Sequence, residues 1–339
     1  MSEDSLRQRP GGNDKARRVP WRDVDGIVVV DKPTGLTSNA MLQRVRRLYR
    51  ARKAGHTGSL DPLASGVLPL CFGEATKLSG LLLDAPKTYE VTGRLGARTT
   101  TGDADGQILA TAPVPALDDG VIEAAMDRFR GEIEQIPPMY SALKQDGRRL
   151  YELAREGRTV ERPARRVTIH SLELLGGAGL ELSLRVRCSK GTYIRTLVED
   201  LAATLGSCAH VVSLRRTAAG PFGLDDAIGL DALEAPGTDS DLLAQRLLPP
   251  DAGVPGLPSV HLPAPEADRL RHGQKVLIPG ADQLRRPGVA RVYGPDGDFL
   301  GLGEADEHGE LAPRRMFRRR AAAGLPEQRL VAPRTRGVK

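Results

Sequence analysis

The stretch GHTGSLDPLASG, residues Gly55–Gly66, presents one carboxylate in a setting rich in turn-forming residues. Gly55, Gly58 and Gly66 permit backbone turns with positive φ, and Pro62 disfavours helical geometry at the preceding Asp61. A helix interior or a central strand is therefore excluded, and we predict a short, tightly specified loop. The run VLPLCF that follows is apolar enough to anchor this loop on a core.

An acid held on a preset loop above a rigid base suits nucleophilic or acid–base chemistry, so Asp61 is the candidate catalytic residue. The alternative is an Asp-Pro turn in which His56 and Asp61 are only local hydrogen-bonding partners, because aspartate is a favoured turn residue. The residues of this loop do not decide between the two.

The 339-residue length and 40% hydrophobic content predict a globular chain of two domains. Since no apolar run approaches the roughly 18 residues that span a bilayer, we expect no membrane partner. The three cysteines are widely spaced and form no metal-ligand pattern with histidine. We therefore expect a protein of the reducing cytoplasm, without disulfides and without a metal.

The net charge of +6 is unevenly distributed along the chain. Residues 314–339 carry eight arginines and one lysine against one glutamate, a net charge of +8, so the remainder is close to −2. The overall charge is thus weak support for nucleic-acid binding, and local clusters are more informative.

The apolar patterns predict alternating strands and helices. Strands are expected at 26–30, 87–93, 182–188 and 208–214, and helices at 38–50 with Ser38 as N-cap, 74–83, 118–129 and 196–205. The segment 235–256 is rich in Pro, Gly and Asp and marks a domain boundary. Short strand-like pieces at 275–278, 289–293 and 299–302 then indicate a small β domain.

Two clusters of cations are candidate RNA contacts. The first is the helix near residues 44–53, with six cations and no acid, which faces either phosphate or only solvent. The second lies between Lys144 and Arg166, with eight cations, four acids and Tyr151. Cations for phosphate and a ring for stacking favour an RNA-gripping insertion, although an exposed charged helix would have the same composition.

Four separated motifs resemble one known family. GHTGSLDPLASGVLPLCFGEATKL (55–78) closely resembles the catalytic motif of the bacterial tRNA pseudouridine-55 synthases (TruB family), which isomerise a uridine in the T-loop of tRNA. IPPMYSALK with GRRLYELAREG (136–157) resembles the tRNA-binding insertion of that family, and KGTYIRTL (190–197) is also similar. The segments between 272 and 317 resemble its small C-terminal RNA-binding domain.

The resemblance implies an α+β fold: a mixed, largely antiparallel sheet flanked by helices, with a small C-terminal β-barrel-like RNA-binding domain. The implied organisation is a disordered tail at 1–22, a catalytic domain at 23–250 with an insertion at about 137–166, a PUA-like domain at 257–317 and a basic disordered tail at 318–339. It also implies a monomer that acts on the T-arm of tRNA without a cofactor, since isomerisation needs neither a redox step nor a group donor.

Roles for individual residues follow from the same resemblance. Asp61 is expected to be the nucleophile or base, and Arg195 to pair with it and keep its pKa low. Tyr89 is expected to pack on a flipped uracil. The remaining expected substrate contacts are His56, Tyr193, Leu214, Lys32 and Asp103, and the expected RNA contacts are Tyr140, Lys144, Arg148, Arg149 and Arg155. For His56 and Lys32 the alternatives are a histidine that caps the turn and a surface lysine.

Two other classes of function compete with the synthase. A nucleoside or glycoside hydrolase also uses a carboxylate at an anomeric carbon, but it usually needs a second carboxylate, for which only Asp103 is a candidate if the fold brings it close. An RNA chaperone would use the basic insertion and the C-terminal domain and would not need Asp61.

Overall fold

A computed structural model describes residues 20–235, 237, 239–278 and 287–318 of the chain, which divides into two compact units between Gly253 and Val254. The predicted disordered tails lie outside these residues, except for residues 20–22 and 318. Arg22 belongs to the ordered part, because its amide donates to the carbonyl of Arg50 at 2.6 Å. Across the described ranges, no helix is long and apolar enough to cross a membrane.

The first unit alternates strands with short helices. Its strands are β1 (Gly26–Lys32), β2 (Ala54–His56), β3 (Ser65–Phe72), β4 (Lys87–Leu95), β5 (Ala97–Thr99), β6 (Ile108–Thr111), β7 (Gly131–Gln135), β8 (Lys144–Gln145), β9 (Arg148–Arg149), β10 (Arg165–Ala178), β11 (Glu181–Cys188), β12 (Ala209–Ala219), β13 (Phe222–Gly223) and β14 (Ile228–Gly229). Its α-helices are α1 (Ser38–Tyr49), α2 (Ser79–Asp84), α3 (Asp119–Asp127), α4 (Leu150–Arg155), α5 (Ile194–Thr204), α6 (Leu230–Glu234) and α7 (Ser240–Ala244).

Ten of these strands form one sheet in the described part of the first unit. Its main path runs β14-β1-β3-β12-β4-β11-β10-β7, with β2 paired to β3 and β13 to β12. The β1–β14 and β12–β3 pairs are parallel, and the other pairs of this sheet are antiparallel. The mixed, largely antiparallel sheet with helices confirms the predicted fold class.

The run GIVVV in β1 is apolar throughout because both faces of the sheet are covered there. Val28 and Val30 belong to the main core with residues of α1, α3 and α5, whereas Ile27 and Val29 belong to a smaller core on the opposite face. Successive side chains of a strand point to opposite faces, so a strand covered on both sides needs continuous hydrophobicity rather than alternation.

Two local predictions require correction. The N-cap of α1 is Thr37, whose side chain accepts from the amide of Ala40 at 3.0 Å, and not Ser38. Ser38 instead exchanges hydrogen bonds with the backbone of Leu60. The helix predicted at 74–83 is a 3₁₀ helix, Gly73–Leu78, followed directly by α2. Other predicted elements agree within a few residues, except that β12 continues five residues beyond its predicted end.

The parallel pairing of β3 with β12 requires a glycine at position 66. Gly66 pairs with Arg216 and has φ of +104°, and a Cβ atom placed there would lie 2.1 Å from the carbonyl oxygen of Arg216. Only glycine tolerates both this conformation and this approach of two backbones. We call this parallel pairing of residues 65–66 with residues 215–216 the seam. The seam lies immediately after the Asp61 loop and therefore sets where that loop ends.

The second unit is a five-stranded sheet with one helix in its described residues. Its elements are β15 (Ser259–His261), α8 (Ala264–Arg271), β16 (Val276–Leu277), β17 (Gly288–Tyr293), β18 (Phe299–Ala305) and β19 (Glu310–Met316), in the sheet order β15-β17-β18-β19-β16. The inward residues of these strands pack with Ala267 and Leu270 of α8. The predicted small β domain is confirmed, although the sequence analysis missed β15, β19 and α8.

We predict that Gly66→Ala lowers the free energy of unfolding by about 1–3 kcal/mol from backbone strain alone, with a further loss from the contact with Arg216. The measurement is urea denaturation followed by circular dichroism. Gly55→Ala is the matched control in β2, the strand that leads into the Asp61 loop, because apart from its chain neighbours no atom lies within 4 Å of a Cβ at Gly55. Equal losses in the two variants would contradict the role assigned to the seam.

Candidate functional site

Asp61 lies in the loop between β2 and β3, and buried polar side chains hold that loop. Lys32, with no exposed surface, donates from Nζ to the carbonyl oxygens of Leu36 at 2.6 Å and Pro62 at 3.5 Å. Ser38 Oγ accepts from the amide of Leu60 at 2.7 Å. Lys32 is therefore not a surface lysine, and its charge is used to satisfy carbonyls of an irregular backbone.

The Arg195 guanidinium joins four segments of the chain. Its Nη2 atom lies 2.9 Å from Asp61 Oδ2 and donates to the carbonyl of Tyr140 at 2.8 Å. Its Nη1 atom donates to the carbonyl of Thr101 at 2.5 Å and lies 3.5 Å from Asp103 Oδ2. The side chain is only 6% exposed, so these contacts are poorly screened by solvent.

The expected low pKa of Asp61 is wrong in direction. Burial raises the pKa of Asp61, and the charge of Asp103 raises it further, while Arg195 and Lys32 oppose the shift. The Arg195 guanidinium thus limits a rise that desolvation imposes. Since 44% of the Asp61 side chain stays exposed, the carboxylate is also reachable by a substrate.

Asp103 was expected to contact substrate, but the structure places it behind Arg195. It is 5% exposed, and its Oδ1 accepts from the Thr101 hydroxyl at 2.5 Å and from the amide of Asp105 at 3.2 Å. With Oδ2 facing Arg195, both carboxylate oxygens are engaged within the protein. The geometry suits a residue that positions the guanidinium rather than one that reaches a ligand.

Two tyrosines and a leucine complete the surroundings of Asp61. Burial raises the pKa values of Tyr89 and Tyr193, and the negative charge of Asp61 adds a smaller rise to both. Leu214, 7% exposed, lines a cavity of about 380 Å³ together with Pro62 and Leu63 of the loop. The site therefore combines one ion pair with aromatic and apolar walls.

His56 lies in β2 and is half-buried. Burial lowers its pKa, and the positive charge of Arg216 lowers it further, so the imidazole is neutral at pH 7. Its Nδ1 atom is buried and has no hydrogen-bond partner among the described residues. This arrangement does not support the alternative in which Nδ1 caps the turn.

The predicted RNA contacts lie mainly in an exposed substructure at residues 144–155, formed by β8, β9 and α4. Lys144, Arg148, Arg149 and Arg155 are exposed, and Arg148 forms an ion pair with Glu156. The guanidinium carbons of Arg149 and Arg155 lie 5.9 Å and 5.5 Å from the centre of the Tyr151 ring. A ring between two cations is suited to a base and its phosphate. Tyr140 lies at the root of this substructure.

Three of the six cations at residues 44–53 make contacts within the protein. Arg44 pairs with Glu234, Arg46 donates to the carbonyl of Ala51 at 2.9 Å, and Arg52 pairs with Asp23 at 3.1 Å. These contacts reduce the support for a phosphate-facing cluster.

The sequence analysis missed Arg216, which is 1% exposed and donates to three carbonyls around the Asp61 loop. A single arginine after an alternating strand is usually solvated, so nothing local distinguishes it from its neighbour Arg215. A prediction of β12 through residue 219 would have placed Arg216 inside the sheet and raised the question of its partners.

Three family models match consecutive parts of the chain. "TruB family pseudouridylate synthase (N terminal domain)" matches residues 46–194. "tRNA pseudouridylate synthase B C-terminal domain" matches 195–255, and "Pseudouridine synthase II TruB, C-terminal" matches 258–317.

Similar proteins include the tRNA pseudouridine synthase B of Chromohalobacter salexigens, 53% identical over 89% of this chain and 97% of the relative. The protein of that name from Ectopseudomonas mendocina is 55% identical over 87% of this chain and 96% of the relative. Among solved structures, that of a Cbf5-Nop10-Gar1 complex matches with a TM-score of 0.63 and 26% identity, covering 84% of this chain and 79% of that one.

We predict that Arg195→Met raises the pKa of Asp61 above its value in the parent, because the largest influence that lowers it is lost. Asp61 then loses its proton at a higher pH. The measurement is a ¹³C NMR titration of labelled aspartate carboxyls, assigned with Asp61→Asn. Arg185→Met removes an exposed arginine paired with Glu90 and Glu173 and should leave the Asp61 titration unchanged. Coincident Asp61 titrations in parent and Arg195→Met would contradict the prediction.

Proposed function

The chain belongs to the TruB family of pseudouridylate synthases, and from this premise we propose how its residues convert the uridine at position 55 of tRNA into pseudouridine. The activity is that of a tRNA pseudouridine synthase, an isomerase. The observation that carries the assignment of the centre is the ion pair between Asp61, in the region 46–194 that one family model matches, and Arg195, in the region 195–255 that another matches.

The reaction breaks the N1–C1′ bond of uridine and joins C1′ to C5 of the same ring. The C5 proton is lost and N1 gains one, so the balance requires no redox partner and no group donor. Asp61 acts either by adding to the substrate covalently or by removing a proton from the ribose to give a glycal. Both routes begin with the ionised carboxylate, which is why the opposition of Arg195 to the raised pKa matters.

The groups around Asp61 take complementary parts in this scheme. Tyr89 packs on the flipped uracil and assists removal of the C5 proton, Leu214 forms an apolar wall, and Tyr193 lies beside the ring. Enclosure on these sides keeps the detached uracil in place while it turns. The neutral imidazole of His56 fills the gap left in the T-loop stack or contacts the substrate, and the role of main base is left to Asp61.

Affinity for the T-arm comes from other parts of the chain. The insertion at about 137–166 in the catalytic domain (23–250) supplies Lys144, Arg149, Arg155 and the Tyr151 ring. The unit at 257–317 is a second RNA-binding module. The target base must leave its stack to reach Asp61, at a cost of a few kcal/mol that is smaller in a loop than in a duplex. Contacts to phosphate offset this cost.

A monomer suffices for this chemistry, because one chain supplies Asp61, Arg195, Asp103, Tyr89 and Tyr193. A tRNA substrate also places the enzyme in the cytoplasm.

One observation favours the hydrolase alternative: the carboxylates of Asp61 and Asp103 both lie beside the Arg195 guanidinium. Asp103, however, is buried and fully engaged, so it lacks the free carboxylate that a glycosidase needs on the far side of its substrate. Release of free uracil from tRNA would favour the hydrolase.

With unmodified tRNA, we expect the parent to form pseudouridine at position 55, located by carbodiimide labelling, without free uracil. Asp61→Asn should bind tRNA as the parent does but lose at least about 10³-fold in rate, because its amide can neither add to the substrate nor accept a proton. Turnover of Asp61→Asn close to the parent rate would rule out Asp61 as the reacting group. An Asp61→Ala variant with an undiminished effect in cells would favour the chaperone.

The insertion is tested by replacing Arg148, Arg149 and Arg155 with glutamine. The logarithm of the affinity falls linearly with the logarithm of the salt concentration, and each lost phosphate contact reduces the magnitude of this negative slope by about 0.9. We expect a decrease of about 2, since Arg148 already pairs with Glu156. The single-turnover rate at saturating enzyme should change little.

The control for the insertion variant neutralises Arg94 and Arg185. Both are exposed and paired with carboxylates, and by strand alternation they lie on the sheet face opposite Tyr89. Identical salt slopes in the two variants would contradict the gripping role of the insertion.

A further inference from the structure

We propose that Arg216 is a positioning residue that clamps both ends of the Asp61 loop and thereby sets where the reacting carboxylate stands. The inference deepens the proposed function and rests on it for its kinetic test. It concerns a residue on β12 that also acts on Tyr89, because burial raises the pKa of Tyr89 and the charge of Arg216 and a hydrogen bond to it oppose that rise.

The guanidinium of Arg216 contacts the loop where it begins and where it ends. Nη2 donates to the carbonyl of Gly58 at 3.1 Å, and Nη1 donates to that of Ser59 at 3.4 Å. Nε donates to the carbonyl of Val67 at 2.7 Å. Asp61 lies between these attachment points, so one planar group fixes the span of backbone that carries it.

The backbone of Arg216 supports the same span. Arg216 pairs with Gly66 across the parallel seam, where a Cβ at position 66 would collide with the Arg216 carbonyl. On its other side Arg216 pairs with Tyr89 in the antiparallel β4. The main chain thus holds the loop exit beside the strand of the substrate-facing tyrosine, while the side chain reaches back to the loop entrance.

The charge of Arg216 is compensated by backbone carbonyls, whereas that of Arg195 is compensated in part by carboxylates. Arg216 is 1% exposed, and in the described part of the chain no carboxylate lies within 4.0 Å of its guanidinium. A buried cation is costly unless its hydrogen bonds are satisfied, and here loop carbonyls satisfy them. The charges that act most strongly on Asp61 are those of Arg195, Asp103 and Lys32, whereas the hydrogen bonds of Arg216 go to the backbone on both sides of Asp61. We therefore assign Arg216 a role in the position of Asp61.

The test is Arg216→Lys, which keeps the charge but lacks the fork that reaches three carbonyls. With tRNA saturated by enzyme, we expect the single-turnover rate to fall by about 100-fold, as for a displacement of about 1 Å at a reacting group. The affinity for tRNA should stay within about threefold of the parent. The acid limb of the pH–rate profile should not move, in contrast to Arg195→Met.

Hydrogen exchange supplies a readout that does not depend on activity. Amides of residues 57–67 should exchange faster in Arg216→Lys than in the parent, while β11 and α5 stay unchanged. Arg185→Lys is the matched control on the exposed face of the same sheet, and neither its rate nor its exchange should change. If the parent modifies no tRNA, the proposed function fails, and the exchange result still decides the clamp.

Parent-like rate and exchange in Arg216→Lys would overturn the proposal, as would a displaced acid limb. If that variant does not fold, ¹⁵N NMR of the arginine side chains of the parent decides. If Arg216 clamps the loop, rotation about the Cζ–Nη bonds of its guanidinium is slow. The slow signal is distinguished from that of Arg195 because it persists in Arg195→Met, and from those of exposed arginines because they rotate fast. Fast rotation of every guanidinium that remains in Arg195→Met would overturn the proposal.

Discussion

In the proposed centre, the contact between the Arg195 guanidinium and the Asp61 carboxylate influences both the orientation and the ionisation of that carboxylate. Burial alone favours the neutral acid, and the adjacent guanidinium opposes that tendency. The same guanidinium also contacts Thr101, Asp103 and Tyr140, so segments far apart in sequence must be in place before the ion pair can form. A correctly folded first unit is therefore a precondition of the chemistry.

Several buried cationic side chains around this centre donate hydrogen bonds to backbone carbonyls. Lys32 and Arg216 donate to the Asp61 loop, and Lys87 donates to the carbonyls of Leu82, Leu83 and Ala85 at the end of α2. An irregular loop leaves carbonyls that no strand or helix satisfies, and an unsatisfied buried polar group costs about 1–3 kcal/mol. Long side chains with several donors remove that cost and make the loop rigid at the same time.

Affinity and chemistry are assigned to surfaces with opposite properties. The arginines at residues 148–155 are exposed, where solvent screens them and salt competes with them. Arg195 is buried and makes its contacts in a poorly screened environment. A hydrogen bond from Arg195 to the carbonyl of Tyr140, where the insertion begins, joins the two regions. The position of that root and the geometry of the ion pair are therefore physically linked.

Turn chemistry and local charge are short-range properties, so the sequence by itself determined the loop that carries Asp61 and the cation-rich stretch around Tyr151, whereas the fold class and the interpretation of that stretch as an insertion came from the resemblance to the TruB family. The motif near residue 195 also pointed to a partner for Asp61. Only the tertiary structure decided that Asp103 lies behind Arg195, that desolvation raises the pKa of Asp61, and that Arg216 is buried while Arg215 is half-exposed. These three facts depend on which strands become neighbours, and adjacent arginines on one strand have the same chemistry until the sheet covers one and leaves the other near water.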